Sequence, residues 1–408
     1  MRLQGLIMYY SDFKGLKLPR LGFGTMRLPL NEDKTINIQA VEDMTDYAME
    51  NGLNYFDTAY PYHGGMSEIA ISRALAKYPR DSYYLADKYP GHQIAEKYEP
   101  EKIFEDQLRK CNTEYFDFYL LHNVYEKSVG VYTDPQWGII PYFIEQRRKG
   151  RIRHLGFSSH ASPEALQSFL NVYGKDMEFC QIQLNYVDWN LQRAEKKYNM
   201  LKKAGIPVWV MEPLRGGRLA NLSEDEKQSL NSICEWRTPV EWAFHWLISL
   251  SDVKVILSGM SNIHQMVDNI RIFSSEAAEM QKAERDALML FSKSIVNGVP
   301  CTGCGYCAEE CPNNMEIPYV IRLYNDIKFT SPEKAMNAAM LLKALPESSA
   351  LEHCVSCGVC TYVCPQKIEI PRIIAELKND MSPKLPDWEK ICKERAEAAR
   401  RLAEGDGK

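Results

Sequence analysis

The segment CTGCGYCAEECP (residues 301–312) decides the fold of the last quarter of this 408-residue chain, and CVSCGVCTYVCP (residues 354–365) repeats its pattern. Both follow C-x2-C-x2-C-x3-C-P, a spacing that holds cubane [4Fe–4S] clusters through cysteine thiolates. The sequence therefore predicts two [4Fe–4S] clusters. The predicted ligands are Cys301, Cys304, Cys307 and Cys311 in the first segment, and Cys354, Cys357, Cys360 and Cys364 in the second.

The fourth cysteine of each segment is predicted to bind the cluster of the other segment, as in two-cluster ferredoxins. Cys311 would then complete the second cluster and Cys364 the first. Zinc is a weaker alternative because its sites use two ligand pairs rather than two quartets. Disulfides are also weaker, since residues 1–12 have too short an apolar run for a secretory signal. Four other cysteines lack a partner spacing and are expected to be buried as small apolar side chains: Cys111, Cys180, Cys234 and Cys392.

The amino-acid composition is typical of a globular protein with a full core. Hydrophobic residues make up 45% of the chain and charged residues 25%. The formal net charge of −5 provides no overall basic field for nucleic acid, and the one basic run, RRKGRIRH (147–154), is expected to end a helix. No segment has the length of a membrane span. We therefore expect a cytoplasmic protein with no nucleic-acid partner and no membrane span.

Residues 18–260 alternate short apolar runs with helical patterns, which indicates a parallel sheet built from βα units. Eight such strands with crossover helices favour a (β/α)8 TIM barrel. No G-x-G-x-x-G follows the first strand, which disfavours a doubly wound dinucleotide-binding sheet. The fold class is therefore α/β, with the barrel in residues 1–290. The predicted strands are Leu18–Met26, Asn54–Ala59, Tyr83–Lys88, Asp117–Asn123, Ile152–His160, Phe179–Tyr186, Pro207–Leu214 and Val253–Met260.

Residues 291–408 are expected to form a C-terminal α-helical dicluster domain of ferredoxin-like character. The segment between Cys311 and Cys354 is longer than a compact ferredoxin needs and consists mostly of helix formers. Residues 388–408 are highly charged. We expect them to form a solvated surface helix that frays at its end.

Four ionisable residues follow three consecutive predicted strands. Asp57 ends the second strand and Tyr62 lies in the loop after it; Lys88 ends the third strand and His122 the fourth. The C-terminal ends of barrel strands build the active-site face, so these side chains are expected to meet. Each of them taken singly would more often be structural. Their joint occurrence predicts a catalytic site.

Tyr62 is predicted to protonate a carbonyl oxygen as hydride reaches the carbon. Tyrosine is a weak acid, with a reference pKa of about 10. The ammonium group of Lys88 favours the phenolate, and a carboxylate, that of Asp57, holds this lysine in place. His122 would donate a second hydrogen bond to the same oxygen.

The barrel part of the sequence resembles the aldo/keto reductase family in the order and spacing of its motifs. The resemblance implies a tetrad of Asp57, Tyr62, Lys88 and His122, with Tyr62 as proton donor in the reduction of a small aldehyde or ketone to an alcohol. Family members with a C-terminal ferredoxin-like extension exist, and the whole chain resembles that iron–sulfur branch. The matching motifs are LPRLGFGTMRL (18–28), FDTAYPYHGGMSE (56–68), ADK (86–88), LLHN (120–123), GFSSH (156–160), QIQLNY (181–186), PLRGGRL (213–219) and SGMSNIHQMVDNI (258–270).

The resemblance also implies a nicotinamide cofactor, NADP or NAD, across the barrel mouth. Ser158, Ser159 and Gln181 would hold its carboxamide. The loop Pro213–Leu219 would cover the pyrophosphate, and Ser258–Asn269 would approach the adenosine end. Gly24, Thr25 and Met26 would lie near the ribose and nicotinamide. Further cofactor-binding candidates are Met211, Pro213, Leu214, Arg215, Gly217, Arg218, Ser258, Gly259, Met260, Gln265 and Asn269.

The chain departs from the family pattern at several of these positions. Met211 stands where many members stack an aromatic ring on the nicotinamide, and it is followed by an acidic residue, Glu212. His63 follows Tyr62 where glycine is usual. The cluster domain also stands in place of the C-terminal loops that ordinarily shape the substrate pocket.

The segment that often grips the 2′-phosphate of NADP with Lys and Arg here has Gly259 and Gln265. A phosphate dianion is poorly held without positive charge. Arg215 and Arg218 in the neighbouring loop are the candidates to compensate. The choice between NAD and NADP therefore stays open.

Three hypotheses remain for how the two halves of the chain work. In the first hypothesis the barrel is a carbonyl reductase, and the clusters exchange electrons through a flavin or a redox partner such as a ferredoxin or flavoprotein. Such a converter is needed because hydride transfer moves two electrons and each cluster carries one. Alternatively, the clusters are structural. In the third hypothesis the barrel binds nucleotide as a redox sensor. The complete tetrad favours an active reductase.

Overall fold

The computed structural model describes residues 8–93, 95–274 and 280–403. Residues 1–7, on which part of the expectation of no secretory signal rests, lie outside the described residues. The described chain divides into two compact units, a larger one of residues 8–186, 195–285 and 392–403 and a smaller one of residues 187–194 and 286–391. The domain boundary expected near residue 290 stays a prediction. No described helix combines the length and the apolar character needed to cross a bilayer.

The larger unit is built around a closed barrel of eight parallel strands, β3 to β10, in which β10 pairs with β3. This confirms the predicted (β/α)8 fold. The described strands are β1 (Tyr10–Phe13), β2 (Leu16–Pro19), β3 (Leu21–Gly24), β4 (Tyr55–Asp57), β5 (Tyr84–Tyr89), β6 (Phe116–Leu121), β7 (Ile152–Ser159), β8 (Cys180–Gln183), β9 (Val208–Met211) and β10 (Val253–Ser258).

Helices follow the barrel strands and also form most of the smaller unit. The described α-helices, in chain order, are α1 (Ile38–Glu50), α2 (Met66–Leu75), α3 (Pro100–Lys110), α4 (Ser128–Thr133), α5 (Ile139–Arg148), α6 (Pro163–Tyr173), α7 (Asp188–Leu191), α8 (Ala194–Lys203), α9 (Glu224–Asn231), α10 (Pro239–Ile248), α11 (Ile263–Ser274), α12 (Lys282–Ile295), α13 (Tyr306–Glu309), α14 (Ile317–Thr330), α15 (Met336–Lys343), α16 (Val359–Val363), α17 (Ile370–Glu376) and α18 (Trp388–Ala403).

Local sequence sets where these helices begin. Ser162 caps α6 by accepting a hydrogen bond from the Ala165 backbone amide, and Pro163 follows in the first turn. Thr238 and Glu241 form a reciprocal capping box at the start of α10. These caps satisfy backbone amides that have no partner within the helix.

A β-hairpin, β1–β2, precedes the barrel and was not predicted. Its two-residue turn is Lys14-Gly15, both with left-handed backbone angles, φ 49° and 85°, as in the tight turns that match strand twist. Phe13 packs edge-on to Trp209 with ring centroids 5.0 Å apart, inside the aromatic barrel core. The predicted first strand, Leu18–Met26, is therefore divided, because its first two residues belong to the hairpin and only Leu21–Gly24 enter the barrel.

The smaller unit repeats one arrangement around each cysteine segment. A short helix (α13 or α16) carries the third cysteine, and a longer helix (α14 or α17) begins after the Cys-Pro pair. The repeat continues beyond the cysteines as CPNNMEIP (311–318) and CPQKIEIP (364–371), in which the second proline lies in the first helical turn. The predicted helical dicluster domain thus has its expected helical character.

The C-terminal helix α18 differs from expectation. Its residues from Cys392 onward pack within the barrel unit, and its buried positions are Trp388, Cys392 and Ala399. The prediction of a solvated surface helix was wrong for one side of α18, because the charged residues leave an apolar stripe at helical spacing. The expected fraying falls partly on residues 404–408, which lie outside the described residues. Cys111, Cys180 and Cys392 are buried as expected; Cys234 is only half-buried because it lies in the connection after α9.

Candidate active site

The four residues of the predicted tetrad lie together at the C-terminal edge of the barrel. Asp57 ends β4, Lys88 lies near the end of β5, and His122 directly follows β6. These strands pair in parallel, with Asp57 opposite Ala86 and Lys88 opposite Leu120. The shared register brings their ends to one level of the barrel mouth.

Lys88 is completely buried and is held by two oxygen atoms. Its Nζ donates to Asp57 Oδ1 at 2.5 Å and to the backbone carbonyl of Thr58 at 2.5 Å. Burial disfavours its charged form, but the interactions with Asp57, Tyr62 and Asp87 together outweigh this and raise the pKa of Lys88. For Asp57 itself burial is the stronger influence and raises its pKa, with Lys88 opposing. Each member of the buried pair thus favours the charged form of the other.

Tyr62 opens a sharp turn between β4 and α2. The next three residues, His63, Gly64 and Gly65, all have left-handed backbone angles. His63, which departs from the family pattern, accepts a hydrogen bond at Nε2 from the Leu28 backbone amide, 3.3 Å away. This turn brings the Tyr62 ring over Lys88, whose Nζ lies 5.0 Å from the ring centroid.

The phenol of Tyr62 retains its proton in this setting. Burial raises its pKa above the ordinary value; the charge of Lys88 and its hydrogen bond to the phenol lower it, and the charge of Asp57 raises it. The net direction is upward. The lysine thus moderates the shift that burial causes, rather than producing a phenolate in the free protein. A protonated phenol is the form that a proton donor needs.

His122 is a neutral imidazole beside Tyr62, with ring centroids 5.8 Å apart and planes nearly perpendicular. Burial, followed by the charges of His92 and Lys88, holds the pKa of His122 well below its usual range. Burial also lowers the pKa of His92 to about 3. His92 packs edge-on to His122, with ring centroids 4.4 Å apart. Within the described part of the chain, the buried His122 Nδ1 atom has no hydrogen-bond partner.

Three of the expected cofactor-binding residues lie where the chain leaves β3 at the barrel mouth. Gly24 ends the strand, and the side chain of Met26 is exposed. Thr25 is buried; its hydroxyl donates to the Asp57 carbonyl at 3.0 Å and receives a hydrogen bond from Ser67. Thr25 therefore supports the tetrad loop from inside.

The three residues expected to hold a carboxamide are all buried, but they differ in the hydrogen bonds that their side chains already form. Ser158 Oγ accepts from the Asn123 backbone amide at 2.8 Å. The Ser159 hydroxyl already donates to the Val124 carbonyl and accepts from a backbone amide. Gln181 Oε1 is buried and has no hydrogen-bond partner among the residues that the structure describes. An amide of the nicotinamide type would satisfy this orphan acceptor, so the group fits here.

Glu212, the acidic residue in the loop after β9, has a structural role because it forms an ion pair. Its carboxylate lies 3.3 Å from the guanidinium of Arg27, which comes from the loop after β3. A Cβ atom added at Gly259 would lie 3.1 to 3.3 Å from the stem of Arg27, so this side chain also packs beside the loop after β10. Arg27, which sequence reasoning missed, thus links the loops expected to hold the nucleotide.

The remaining predicted nucleotide contacts mostly stabilise their own loops. Arg218, a candidate phosphate ligand, pairs with Glu226 through two hydrogen bonds of 2.6 and 3.0 Å, while Arg215 is buried. Asn269 Nδ2 donates to Ser258 Oγ at 3.0 Å, and Gln265 Oε1 accepts from the Ser261 amide. Among the other candidates, Met211 is half-buried and ends β9. The loop after β9 contains Pro213, Leu214 and Gly217, and the loop after β10 contains Gly259 and Met260.

Each cysteine quartet of the smaller unit surrounds a cavity. One cavity is lined by Cys354, Cys357, Cys360 and Cys311. The other is lined by Cys301, Cys304, Cys307 and Cys364. The fourth cysteines are exchanged, in the grouping that the spacing predicts. In the described ranges no set of three His, Cys, Asp or Glu side chains forms a site for a single metal ion. Four cysteine thiols lining one cavity are the ligand set that a cubane cluster requires.

Comparison with known proteins agrees with this geometry. The model of the aldo/keto reductase family matches residues 20–289. The chain belongs to the aldo/keto reductase family. It is accordingly an NAD(P)-dependent oxidoreductase. A second family model, that of a 4Fe-4S dicluster domain, matches residues 300–369.

Relatives of this aldo/keto reductase match mainly its barrel. The chain is 24% identical over 302 residues to the NADH-specific methylglyoxal reductase of Escherichia coli, covering 62% of this chain and 90% of the relative. It is 22% identical to a probable aldo-keto reductase of Glycine max, over 66% and 85% of the two chains. A holo-form aldo-keto reductase from Bacillus halodurans superposes with a TM-score of 0.56 at 25% identity, over 70% and 96% of the chains.

Besides Arg27, three further residues at the site of this aldo/keto reductase were missed by sequence reasoning. His92 and His160 follow β5 and β7, the position that singled out the tetrad, so the same signal was available for both. Burial lowers the pKa of His160 to about 3. Arg395 comes from α18, and its charge acts on both Tyr62 and His122. Nothing in its local sequence connects this arginine to the barrel.

The buried Lys88–Asp57 pair predicts a specific pattern of stability. Lys88→Met leaves an unpaired buried carboxylate and should lower the free energy of unfolding by about 3–5 kcal/mol. Adding Asp57→Asn in the same chain should recover part of that loss. Lys77→Met, which removes an exposed pair with Asp46, should cost at most about 1 kcal/mol. Urea unfolding followed by circular dichroism measures all three. A Lys88→Met cost no larger than that of Lys77→Met would contradict the account.

Proposed function

We propose that this aldo/keto reductase reduces a small aldehyde or ketone to the alcohol with a reduced nicotinamide nucleotide, and that Tyr62 donates the proton. The observation that carries the proposal is the meeting of four side chains. A protonated phenol, a buried ammonium with its carboxylate partner and a neutral imidazole lie together at the barrel mouth. This combination suits proton donation to an oxygen that gains negative charge.

Each of the four side chains has a separate task in this proposal. The nucleotide, when bound, supplies the hydride. Tyr62 donates its phenolic proton to the carbonyl oxygen, and Lys88 stabilises the phenolate that remains. Asp57 keeps Lys88 charged and in position, as its contact with Nζ indicates. His122 donates a hydrogen bond to the same oxygen, and its lowered pKa keeps it neutral over the physiological range.

We further propose that NADH is preferred over NADPH. The segment Ser258–Asn269 contains no Lys or Arg, and Arg218 is engaged by Glu226. The nearby Arg27 is paired with Glu212, so a 2′-phosphate placed there would have to compete for its cationic partner, and each charge-assisted hydrogen bond that is missing weakens binding. The loop after β10 therefore favours a nucleotide with a free 2′-hydroxyl.

For the smaller unit we propose two [4Fe–4S] clusters, one in each four-cysteine cavity. A second function, electron exchange with a ferredoxin or flavoprotein, is favoured by one observation. Cys304 and Cys357 are exposed, and the side chains beside the clusters, Val355 and Tyr362, are exposed to 65% and 82%. A partner could therefore approach the clusters closely. One-electron clusters would need a flavin-like converter to exchange electrons with hydride chemistry.

The role of Tyr62 is tested by Tyr62→Phe. We expect kcat for carbonyl reduction to fall by at least about 100-fold, because general acid catalysis typically contributes that much or more. Tyr173→Phe, a matched loss of a phenol hydroxyl on α6, should leave kcat unchanged. Rates are followed by nicotinamide absorbance with NADH and with NADPH, and NADH should be the better substrate. Unchanged reduction by Tyr62→Phe would refute the proposed role.

The exchange of the fourth cysteines is tested by two double variants that each remove two cysteines. Cys301→Ala/Cys364→Ala removes two ligands of one cavity and should lower the iron content from about 8 to about 4 per chain, because each cubane holds four irons. Cys301→Ala/Cys311→Ala removes one ligand from each cavity and should reduce iron toward zero. Anaerobic reconstitution followed by iron and sulfide analysis measures both. If the fourth cysteines were not exchanged, the two results would be reversed.

A further inference from the structure

The C-terminal helix α18 has one cation on the side that faces the barrel. Its buried residues from Cys392 to Ala399 define this side, and Arg395 lies between them, three residues after the first and four before the second. Residues at these spacings share one helix face. Arg395 is half-buried, whereas Arg400 and Arg401 on the same helix are exposed.

The same face of α18 packs against the turn that carries Tyr62. A Cβ atom added at Gly65 would lie 3.5 Å from the Cα of Ala399, and one added at Gly64 would lie 3.5 Å from the Cβ of Ala398. Small residues on both sides let the helix backbone approach the turn closely. Arg395, one helical turn earlier than Ala399, is therefore held beside the catalytic loop.

The charge of Arg395 reaches side chains from three loops of the barrel mouth. Burial is the main cause of the lowered pKa values of His63, His92 and His122, and Arg395 contributes to each. Arg395 also acts on Tyr62, where it opposes the rise that burial causes. The positive charge of Arg395 thus acts on side chains that follow β4, β5 and β6.

Arg395 has no acidic partner that would neutralise it. Within the part of the chain that the structure describes, it forms neither an ion pair nor a side-chain hydrogen bond. The carboxylate of Asp57 is already engaged by Lys88, and the neighbouring imidazoles are neutral. The tetrad side of the barrel mouth therefore has an excess positive charge.

The position of Arg395 points to the substrate rather than to the nucleotide. The residues expected to hold the nucleotide follow β3 and β7 to β10, while the side chains around Arg395 follow β4 to β6. A guanidinium group binds a carboxylate through two parallel hydrogen bonds. The guanidinium group of Arg395 is therefore suited to bind a planar anion that is part of the carbonyl substrate.

We infer that Arg395 binds a carboxylate of the substrate, so that the preferred substrates are oxo acids rather than neutral aldehydes or ketones. This inference rests on the proposed carbonyl reduction. The helix that follows the cluster-binding residues thereby contributes a specificity-determining residue to the barrel site.

The test compares a carboxylate substrate with its neutral counterpart. The probes are para-carboxybenzaldehyde and its methyl ester, reduced with NADH by the reconstituted full-length protein. In the unmodified protein, kcat/KM should be higher for the acid. Arg395→Gln should lower kcat/KM for the acid about 10- to 100-fold, mainly through KM, as expected for loss of a hydrogen-bonded charge pair. The ester should change less than about 3-fold, and Arg395→Lys should retain part of the preference.

Arg400→Gln is the matched control, since it removes the same charge from the exposed side of α18. It should leave both substrates unaffected. Benzoate, which cannot be reduced, should inhibit ester reduction competitively in the unmodified protein and in Arg400→Gln, but weakly in Arg395→Gln. Equal kcat/KM for acid and ester, or equal losses for both in Arg395→Gln, would overturn the inference. Failure of the unmodified protein to reduce either probe would instead count against the proposed carbonyl reduction.

Discussion

The site depends on a single buried charge, the ammonium group of Lys88. A lysine without solvent contact is stable only if its charge is compensated, and here Asp57 and the Thr58 carbonyl do so at 2.5 Å. The pairing fixes the ends of β4 and β5 relative to each other. It also places a fixed positive charge below the ring of Tyr62. Burial raises the pKa of Tyr62 and Lys88 limits that rise, so Tyr62 is a stronger acid beside Lys88 than burial alone would leave it.

The C-terminal helix gives the barrel a second fixed charge. In sequence, α18 follows the cysteine segments and would be assigned to the cluster domain, yet from Cys392 onward it packs with the barrel. Its small residues fit against the glycines after Tyr62, and Arg395 is directed to the same loops. A helix that carries a positive charge therefore lies against the loop of Tyr62.

Much of this could be predicted from the sequence because the signals are local. Strand periodicity predicted all eight barrel strands, and residues at strand ends predicted the tetrad, since parallel pairing carries neighbouring ends to one edge. The cysteine spacing predicted the grouping that lines the two cavities. The position of Arg395 could not be predicted, because it depends on packing between segments far apart in the chain. The pairing of Glu212 with Arg27 was missed for the same reason.

In the proposed reaction, hydride passes directly to the carbonyl carbon while Tyr62 supplies the proton, and the clusters take no part in this step. The most direct test uses NADH carrying deuterium in both positions of the nicotinamide carbon that releases hydride, with a carbonyl substrate in ordinary water. Mass spectrometry of the alcohol should show one deuterium on the former carbonyl carbon. An alcohol without deuterium, its new C–H hydrogen taken from water, would show that the electrons travel through the clusters or a flavin and would contradict the account.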